Sequence, residues 1–277
     1  MTFEKASARD RKRRRSRETS MDPEMPTPDV LPIVPLRDVV LFPYTITSLT
    51  LDDPQSIALI EAAMHADRLV ATFPCLSQTS DRLRRQDFAP VGCAGRIIKS
   101  LRLPDDSVRV LIRGIRRVEL KRIHKRKPYM TGRVAPAAVP EDSSVETEAI
   151  AAAALNQFQG LVALAPHFPE ELKIVVYNLE DYGRLADLVA DTINLSFQEK
   201  VAVLCAVALR HRLELVLQYL AREEVLLRVG NEIQNKVSAE FARGQRDHFL
   251  REQLKAIQEQ LGEEPETPDI TVLRERL

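Results

Sequence analysis

Residues 210–261, RHRLELVLQYLAREEVLLRVGNEIQNKVSAEFARGQRDHFLREQLKAIQEQL, contain no proline and repeat apolar residues at intervals of three and four. This spacing places apolar side chains on one face of an α-helix. From Glu224 to Glu240, acidic and basic residues alternate at four-residue steps, so neighbouring charges can pair on a solvated face. A continuous helix of this length would measure about 75 Å at about 1.5 Å per residue. The pattern therefore predicts a long helix that protrudes from the domain before it.

The apolar face changes character along this predicted helix. Its first half, from Leu213 to Phe241, is typical of a helix packed on a domain. The distal half carries four apolar residues at steps of four, three and four, which is coiled-coil spacing. They are Leu250, Leu254, Ile257 and Leu261. Little sequence follows to cover them, so we expect a partner helix and self-association along this seam.

Three segments of the chain resemble one protein family. Residues 249–263, FLREQLKAIQEQLGE, are similar to the end of the amino-terminal region of bacterial Lon, the ATP-dependent protease. Residues 31–43, LPIVPLRDVVLFP, resemble the opening of the same region, and residues 184–191, RLADLVAD, supply a third match. The spacing between the segments is also similar, so the resemblance covers about residues 31–262.

The resemblance to Lon implies a fold and a function. In that family a twisted barrel resembling the PUA fold precedes helices, and this region captures unfolded or degron-bearing proteins in protein quality control. It also helps to organise the hexamer. The ATPase module and the serine-lysine protease module of Lon follow the region that this chain resembles. The resemblance therefore implies a non-catalytic substrate-recognition region that uses no cofactor and no small-molecule substrate.

Composition agrees with a globular, cytoplasmic protein. The 277 residues are 44% hydrophobic, and 40 basic residues balance 40 acidic ones, so no net field favours nucleic acid or a membrane surface. No apolar run approaches the roughly 20 residues of a membrane span. Cys75, Cys93 and Cys205 lie far apart and form no CxxC motif. We expect them to be reduced thiols in the core of a cytoplasmic protein.

The order of segments predicts an α+β protein. Residues 1–29 are basic and proline-rich and are expected to be a disordered arm. Residues 30–140 predict a β-rich subdomain that, by the resemblance, is a PUA-like pseudo-barrel. Residues 141–209, rich in alanine, leucine and glutamate, predict a helical bundle. The long helix follows over residues 210–262, and residues 263–277 are interpreted as a linker toward the missing ATPase module.

Local signals predict the individual elements. Strands are expected at residues 45–51, 69–73, 91–103, 108–112, 117–123 and 129–139. A turn at residues 104–107, PDDS, predicts a hairpin whose inward face includes Leu101. Helix starts are predicted at Asp53 with Pro54 and by capping boxes at Ser143 with Glu146 and at Ser196 with Glu199. The helices are expected to reach residues 164, 178, 191 and 208.

The chain lacks the sequence motifs of an enzyme. There is no GxxxxGK[ST] loop to hold a nucleotide phosphate and no GxSxG nucleophile motif. The five histidines lie in five separate segments without the spacing of a metal-binding helix. We therefore nominate no catalytic, cofactor-binding or metal-binding residue.

The first candidate binding segment is an apolar, proline-containing stretch. It consists of Leu41, Phe42, Pro43 and Tyr44. An exposed apolar surface can hold an unfolded segment through contact area rather than through sequence. For Leu41 and Phe42 themselves, burial in the core is the favoured interpretation.

The second candidate is basic and supports an alternative function. Residues 113–127 carry eight basic residues and one acid, Glu119. The basic residues are Arg113, Arg116, Arg117, Lys121, Arg122, Lys125, Arg126 and Lys127. With the arginine-rich residues 11–15, they could make this a nucleic-acid-binding module. The plainer interpretation is the solvated face of a strand, because alternation turns Val118 and Leu120 inward.

Overall fold

The structure is a computed structural model of the chain. It describes residues 27–77, 83–138, 140, 142, 144–164, 168–179 and 181–261, without the side chains of 170, 171, 173, 242 and 258–261. The expectations for the arm up to residue 26, for Ser143 and for residues after 261 therefore lie outside the described residues. By its internal contacts the chain divides into two compact units, residues 1–220 and residues 221–277.

The described residues form six strands and six α-helices, which confirms the α+β class. The strands are β1 (Val30–Leu36), β2 (Ile46–Leu51), β3 (Leu69–Pro74), β4 (Val91–Arg102), β5 (Val108–Lys125) and β6 (Thr131–Pro136). The helices are α1 (Pro54–His65), α2 (Val145–Leu164), α3 (Glu170–Tyr177), α4 (Tyr182–Thr192), α5 (Phe197–Cys205) and α6 (Leu209–Leu261). A short 3-10 helix lies at Arg85–Asp87.

The six strands form one sheet that closes on itself. Its order is β2-β5-β4-β3-β1-β6, and β6 also pairs with β5. Only β1 and β3 are parallel; the other pairings are antiparallel. One edge of β5 pairs with β2 over its first half and with β6 over its second half. Among the described residues, the long β5 strand thus closes the ring, and β2 is attached to the ring only through β5.

Strand boundaries were predicted well except at two places. The segments expected at 108–112 and 117–123 form the single strand β5, and β1 was not predicted to be a strand at all. Pro32 and Pro35 argue against a strand because proline cannot donate to a ladder. In β1, residues 30–32 pair with β6 and residues 33–36 pair with β3, so each half has one unpaired side. That arrangement accommodates both prolines.

The sheet encloses two apolar clusters. One contains Phe73, Phe88 and Leu120, and the other contains Leu59 and Ile60 of α1 packed on β1, β4 and β5. Helix α1 begins as predicted: the Asp53 carboxylate accepts a hydrogen bond from the Ser56 amide at 2.9 Å. This cap satisfies a backbone donor that the helix itself cannot pair.

Helices α2 to α5 follow the predicted order. At the start of α2, Ser144 accepts a hydrogen bond from the Thr147 amide. Ser196 and Glu199 form the predicted capping box of α5. This helix ends at Cys205 and not at residue 208, because Arg212 donates hydrogen bonds to the carbonyl oxygens of Ala206 and Val207, each at 3.0 Å. These contacts hold the chain in a short turn before α6 begins.

Helix α6 runs without interruption from Leu209 to Leu261, as the sequence pattern predicts. In the first unit, Leu213, Val216 and Leu220 are fully buried. The expected packing of the apolar face as far as Phe241 is wrong, because every apolar side chain from Val225 to Phe241 that the structure describes is exposed or only half-buried. The apolar period of the sequence therefore extends well past the last turn that a core covers.

Candidate functional site

The segment from Leu41 to Tyr44 does not form the expected exposed surface. Leu41, Phe42 and Pro43 are buried, with Leu41 in the cluster beneath α1. Tyr44 is 50% exposed. The correction has a simple cause: this segment leads into β2 on the inner side of the closed sheet, where bulky apolar residues fill the interior. Of the four nominated residues, Tyr44 alone can meet a partner in this conformation.

Tyr44 begins a β-bulge at the start of β2. Its amide donates to the Gly114 carbonyl at 2.9 Å, and the Gly114 amide donates to the Thr45 carbonyl at 2.9 Å. Tyr44 has a φ of 65°, the left-handed conformation that glycine usually adopts at the first position of this bulge. The Arg184 guanidinium of α4 lies 4.0 Å from the centre of the Tyr44 ring. This cation–π contact holds an exposed aromatic ring at one end of β2.

Next to this bulge, β2, β4 and β5 present a mixed apolar and basic surface, here called the outer sheet face. Ile46 of β2 pairs with Arg113 of β5. Two further rows cross β2, β5 and β4 in that order, and they consist of Ser48, Leu111 and Lys99 and of Thr50, Arg109 and Leu101. All eight side chains are exposed. Leu101 was expected to point inward; a register shift between Ile97 and Lys99 turns it outward instead. Sequence alternation did not reveal this surface because the bulge changes which residues face the core.

A buried charge network lies between the sheet and the helices. Arg117 of β5 donates two hydrogen bonds to Asp187 of α4, at 2.7 Å and 2.6 Å, and a third to the Leu204 carbonyl of α5 at 2.9 Å. Arg212 of α6 approaches the same carboxylate at 3.4 Å. Arg117 is only 5% exposed. One carboxylate thus connects a strand and two helices through charge-assisted bonds.

Burial also changes the pKa values of groups around this network. Desolvation raises the pKa of Cys93 to about 12, although Arg117 opposes the rise. Desolvation likewise lowers the pKa of Arg212, with Asp187 opposing it. The pKa of Asp191 is raised, first by burial and further by Asp187, while Lys200 counteracts both. The buried Cys93 thiol therefore stays protonated at neutral pH and is not a reactive nucleophile.

The eight basic residues nominated for nucleic-acid contact are not one surface. Arg117 is wrong as a surface residue, because α4 and α5 cover the side of β5 from which it points. Lys121 pairs with Glu119, and Arg126 donates to the Leu83 carbonyl. Of the remaining five, Arg116 is half-buried, and the other four are exposed: Arg113, Arg122, Lys125 and Lys127. The set is therefore divided between buried, half-buried and exposed positions.

The distal seam residues are exposed in the second unit. Leu254 is 58% exposed, and Leu250 and Ile257 are exposed to a similar degree. The side chain of Leu261 lies outside the described residues. Three of the four predicted seam residues are thus available to a partner helix.

Metal sites and membrane-spanning helices are absent from the described ranges. There, no group of three His, Cys, Asp or Glu side chains is placed to hold a metal ion. Within the same ranges, none of the helices combines the length and the apolar character needed to cross a membrane.

Comparisons with known proteins agree on one family. The family model described as the ATP-dependent protease La (LON) substrate-binding domain matches residues 30–222. Lon protease of Dictyoglomus thermophilum is 36% identical over 252 residues, which are 90% of this chain and 32% of the relative. Lon protease of Escherichia coli K12 is 31% identical over 249 residues, with the same shares covered. The chain therefore spans about a third of the length of these curated relatives.

The fold leads to the same group of proteins. The solved N-terminal domain of the Mycobacterium avium complex Lon protease superposes with a TM-score of 0.60 at 18% identity, covering 69% of this chain and 98% of that domain. The nucleic-acid interpretation finds no support in these comparisons. Because the family model spans the sheet, helices α1 to α5 and the first turns of α6, the chain belongs to the Lon substrate-binding domain family.

Proposed function

We propose that this chain recognises protein substrates for a Lon-type ATP-dependent protease. It would bind unfolded or degron-bearing proteins and would itself perform no catalysis. The observation that carries the proposal is the match of residues 30–222 to a substrate-binding domain family. The same relationship supports a PUA-like description of the closed sheet and the division into a β-rich subdomain, a helical bundle and a long helix. We further propose a cytoplasmic location, supported by three free cysteines, since thiols stay reduced there.

The outer sheet face is the surface that best suits this task. It combines exposed leucine and isoleucine side chains with arginine and lysine on the strands of a rigid sheet. Unfolding exposes apolar segments of a client that are buried in its folded state. Apolar contact area on this face would supply affinity for such segments. Tyr44, at the start of β2, adds an aromatic ring beside this face.

We also propose that the distal part of α6 supports assembly. The exposed side chains Leu250, Leu254 and Ile257 have coiled-coil spacing. In a full-length Lon-type protease, pairing of such helices would help to organise the hexamer.

Substrate binding can be tested with one client in two states. A globular protein held unfolded by mutation and its folded parent are labelled and titrated with this chain, and binding is measured by fluorescence anisotropy. We expect clear preference for the unfolded state. Binding should persist in 0.5 M salt, where the Debye length is only about 4 Å, because apolar contact is weakly screened. Equal affinity for the folded and the unfolded client, or loss of binding in 0.5 M salt, would argue against the proposal.

A matched pair of variants locates the surface. Leu101 and Leu76 are 55% and 56% exposed, but only Leu101 belongs to the outer sheet face. Leu101→Ser should weaken binding of the unfolded client severalfold, by the transfer free energy of a partly buried leucine. Leu76→Ser should leave binding unchanged. If both variants bind as the wild type does, the client contacts another surface.

A further inference from the structure

The strand β2 has an unpaired edge. On one side it pairs with β5 from Ile46 to Leu51, and within the described residues no strand pairs with its other side. The hydrogen bonds of the bulge at Gly114 set the alternation along this strand. They make Thr47, Leu49 and Leu51 the residues bonded to β5, so the amides and carbonyls of the alternate residues point away from the sheet. These are Ile46, Ser48 and Thr50.

This edge lacks the usual protection against a further strand. Exposed edges in natural proteins carry charged residues or proline, or they are very short, to prevent pairing with another chain. The sequence of β2 is ITSLTL, with no charge, no proline and three β-branched residues. Six residues of extended chain span about 20 Å at about 3.4 Å each. An extended segment of similar length can therefore form a complete ladder here.

The charges on the outer sheet face select the kind of segment. Arg109 lies one strand inward from β2, and its neighbour on β2, Thr50, is uncharged. Strands are spaced by about 4.8 Å, so this long side chain can extend over β2 toward an acidic group on an added strand. The two ends of the edge are the Tyr44 ring beneath Arg184 and the Asp53 cap of α1.

We propose that the β2 edge binds extended protein segments by strand addition, and that it prefers segments in which acidic residues alternate with apolar ones. This inference rests on the proposed function and names the substrate class of the outer sheet face. Backbone hydrogen bonds supply affinity without a sequence requirement, while the basic residues supply selectivity. The same charges disfavour the arginine-rich residues 11–15 as the occupant, since these would bring like charges together, and a second copy of β2, ITSLTL, offers them no acidic residue.

The test uses the full chain and a labelled eight-residue peptide that alternates valine and glutamate. The matched peptides have lysine in place of glutamate, or methyl groups on every backbone amide. Ser48→Pro removes an outward amide without removing a bond to β5, and Ser48→Ala keeps that amide. Ser48→Ala should bind the peptide much more tightly than Ser48→Pro, because the two variants differ in the outward amide. Ser48→Pro and the methylated peptide should each weaken binding by about tenfold or more. The lysine peptide should bind more weakly than the glutamate peptide, and added salt should reduce that difference.

Several results would overturn this inference. Equal binding of the methylated and unmethylated peptides would do so even if Ser48→Pro failed to fold. A dimer lost in Ser48→Pro but retained in Ser48→Ala, measured by sedimentation without peptide, would assign the edge to a second copy. Peptide binding that appears only after residues 11–15 are changed to glutamine would assign it to the arm. If the peptide fails while the unfolded client still binds, strand addition fails and the proposed function stands; if neither binds, both fail.

Discussion

At the scale of single residues, Gly114 shows how closely the backbone packs at the bulge beside β2. A Cβ atom added at Gly114 would lie 2.0 Å from the Phe42 carbonyl oxygen, far inside van der Waals contact. The obstacle is backbone rather than a flexible side chain, so the strand pairing itself would have to move. This glycine therefore maintains the geometry that positions Tyr44 and β2.

We predict that Gly114→Ala lowers the free energy of unfolding by at least about 2 kcal/mol through this overlap. Gly160 in α2 is the matched control, because an added Cβ there meets nothing within 4 Å. Gly160→Ala should raise stability by about 0.5–1 kcal/mol, since alanine is the better helix former. Urea unfolding of both variants measures these values. Equal stabilities for the two variants would contradict the packing at the bulge.

Asp191 provides a residue-scale prediction about pH. Burial raises its pKa above the ordinary value of 3.8. At pH values between the pKa of Asp191 in the unfolded chain and its raised pKa in the folded chain, the folded chain binds more protons. The contribution of Asp191 to stability therefore falls as pH rises. Asp191→Asn cannot ionise. Its free energy of unfolding relative to the wild type should therefore increase from pH 4 to pH 7, as followed by urea unfolding at each pH.

Asp105 should show the opposite sign. Hydrogen bonds from the Ser107 side chain and amide lower the pKa of the Asp105 carboxyl. Its contribution to stability is present above its unfolded pKa and is lost as pH falls through the lowered value. The stability of Asp105→Asn relative to the wild type should therefore decrease as pH rises from strong acid to the ordinary pKa of 3.8 and stay constant above it. Parallel pH profiles for the two variants would show that the environment of Asp191 is not desolvating.

At the scale of elements, α6 contains two stretches with different apolar environments. Leu213, Val216 and Leu220 are buried in the first unit, whereas Leu250, Leu254 and Ile257 are exposed in the second. Gly244 lies before the distal stretch and costs about 1 kcal/mol relative to alanine within a helix. The distal turns gain little from the chain itself, so a partner helix would stabilise them. Each buried leucine or isoleucine would add about 1.5–3 kcal/mol, less the entropy of association.

We predict concentration-dependent self-association of the full chain that is lost on truncation after Ala242. Leu254→Gln should also weaken it, because glutamine keeps helix propensity while removing an apolar contact. Glu252→Gln, a neighbouring exposed position, is the control and should leave association unchanged. Sedimentation at several concentrations measures all four proteins. A full chain that stays monomeric throughout, or a truncated chain that associates equally well, would exclude the distal seam.

At the scale of the whole molecule, the buried carboxylate of Asp187 joins the sheet to the helices of the first unit. Arg117 reaches it from β5 and Arg212 from α6, and backbone carbonyls accept further hydrogen bonds from both guanidinium groups. Two buried cations bind this one carboxylate, and the charge of Asp181 adds a weaker attraction for Arg212. Removing one partner of a buried ion pair leaves an uncompensated charge, which costs far more than loss of an exposed pair.

We therefore predict that Asp187→Asn lowers the free energy of unfolding by about 3–5 kcal/mol. Asp181→Asn is the matched control on the same helix. Asp181 caps α4 from an exposed position, and asparagine caps as well as aspartate does, so its effect should stay below about 1 kcal/mol. Denaturant unfolding compares the two. Similar small losses for both would mean that Asp187 does not hold the sheet and helices together.

The amino-acid sequence by itself determined the α+β class, most element boundaries, the helix caps at Asp53 and Ser196, and the continuous α6 helix. These features depend on neighbours within a few residues, so local spacing and capping chemistry suffice to predict them. The family was also readable from residues 31–43, 184–191 and 249–263, since short motifs carry it. Strand β1 was not predicted, because its two prolines argue against a strand. They are tolerated here because one half of β1 pairs with β6 and the other half pairs with β3.

Only the tertiary structure decided which side chains are buried and which can meet a partner. Alternation along β5 assigns Arg117 to the solvent-facing side of the strand. It is nevertheless buried, because helix α4, which carries Asp187 70 residues further along the chain, packs over it. The sequence left Leu41 and Phe42 open to an exposed patch or to burial, and they fill the interior, while a register shift in β4 exposes Leu101. Burial depends on which distant elements cover a residue. That property arises from the closure of the sheet and the packing of helices on it, and no short stretch of sequence contains it.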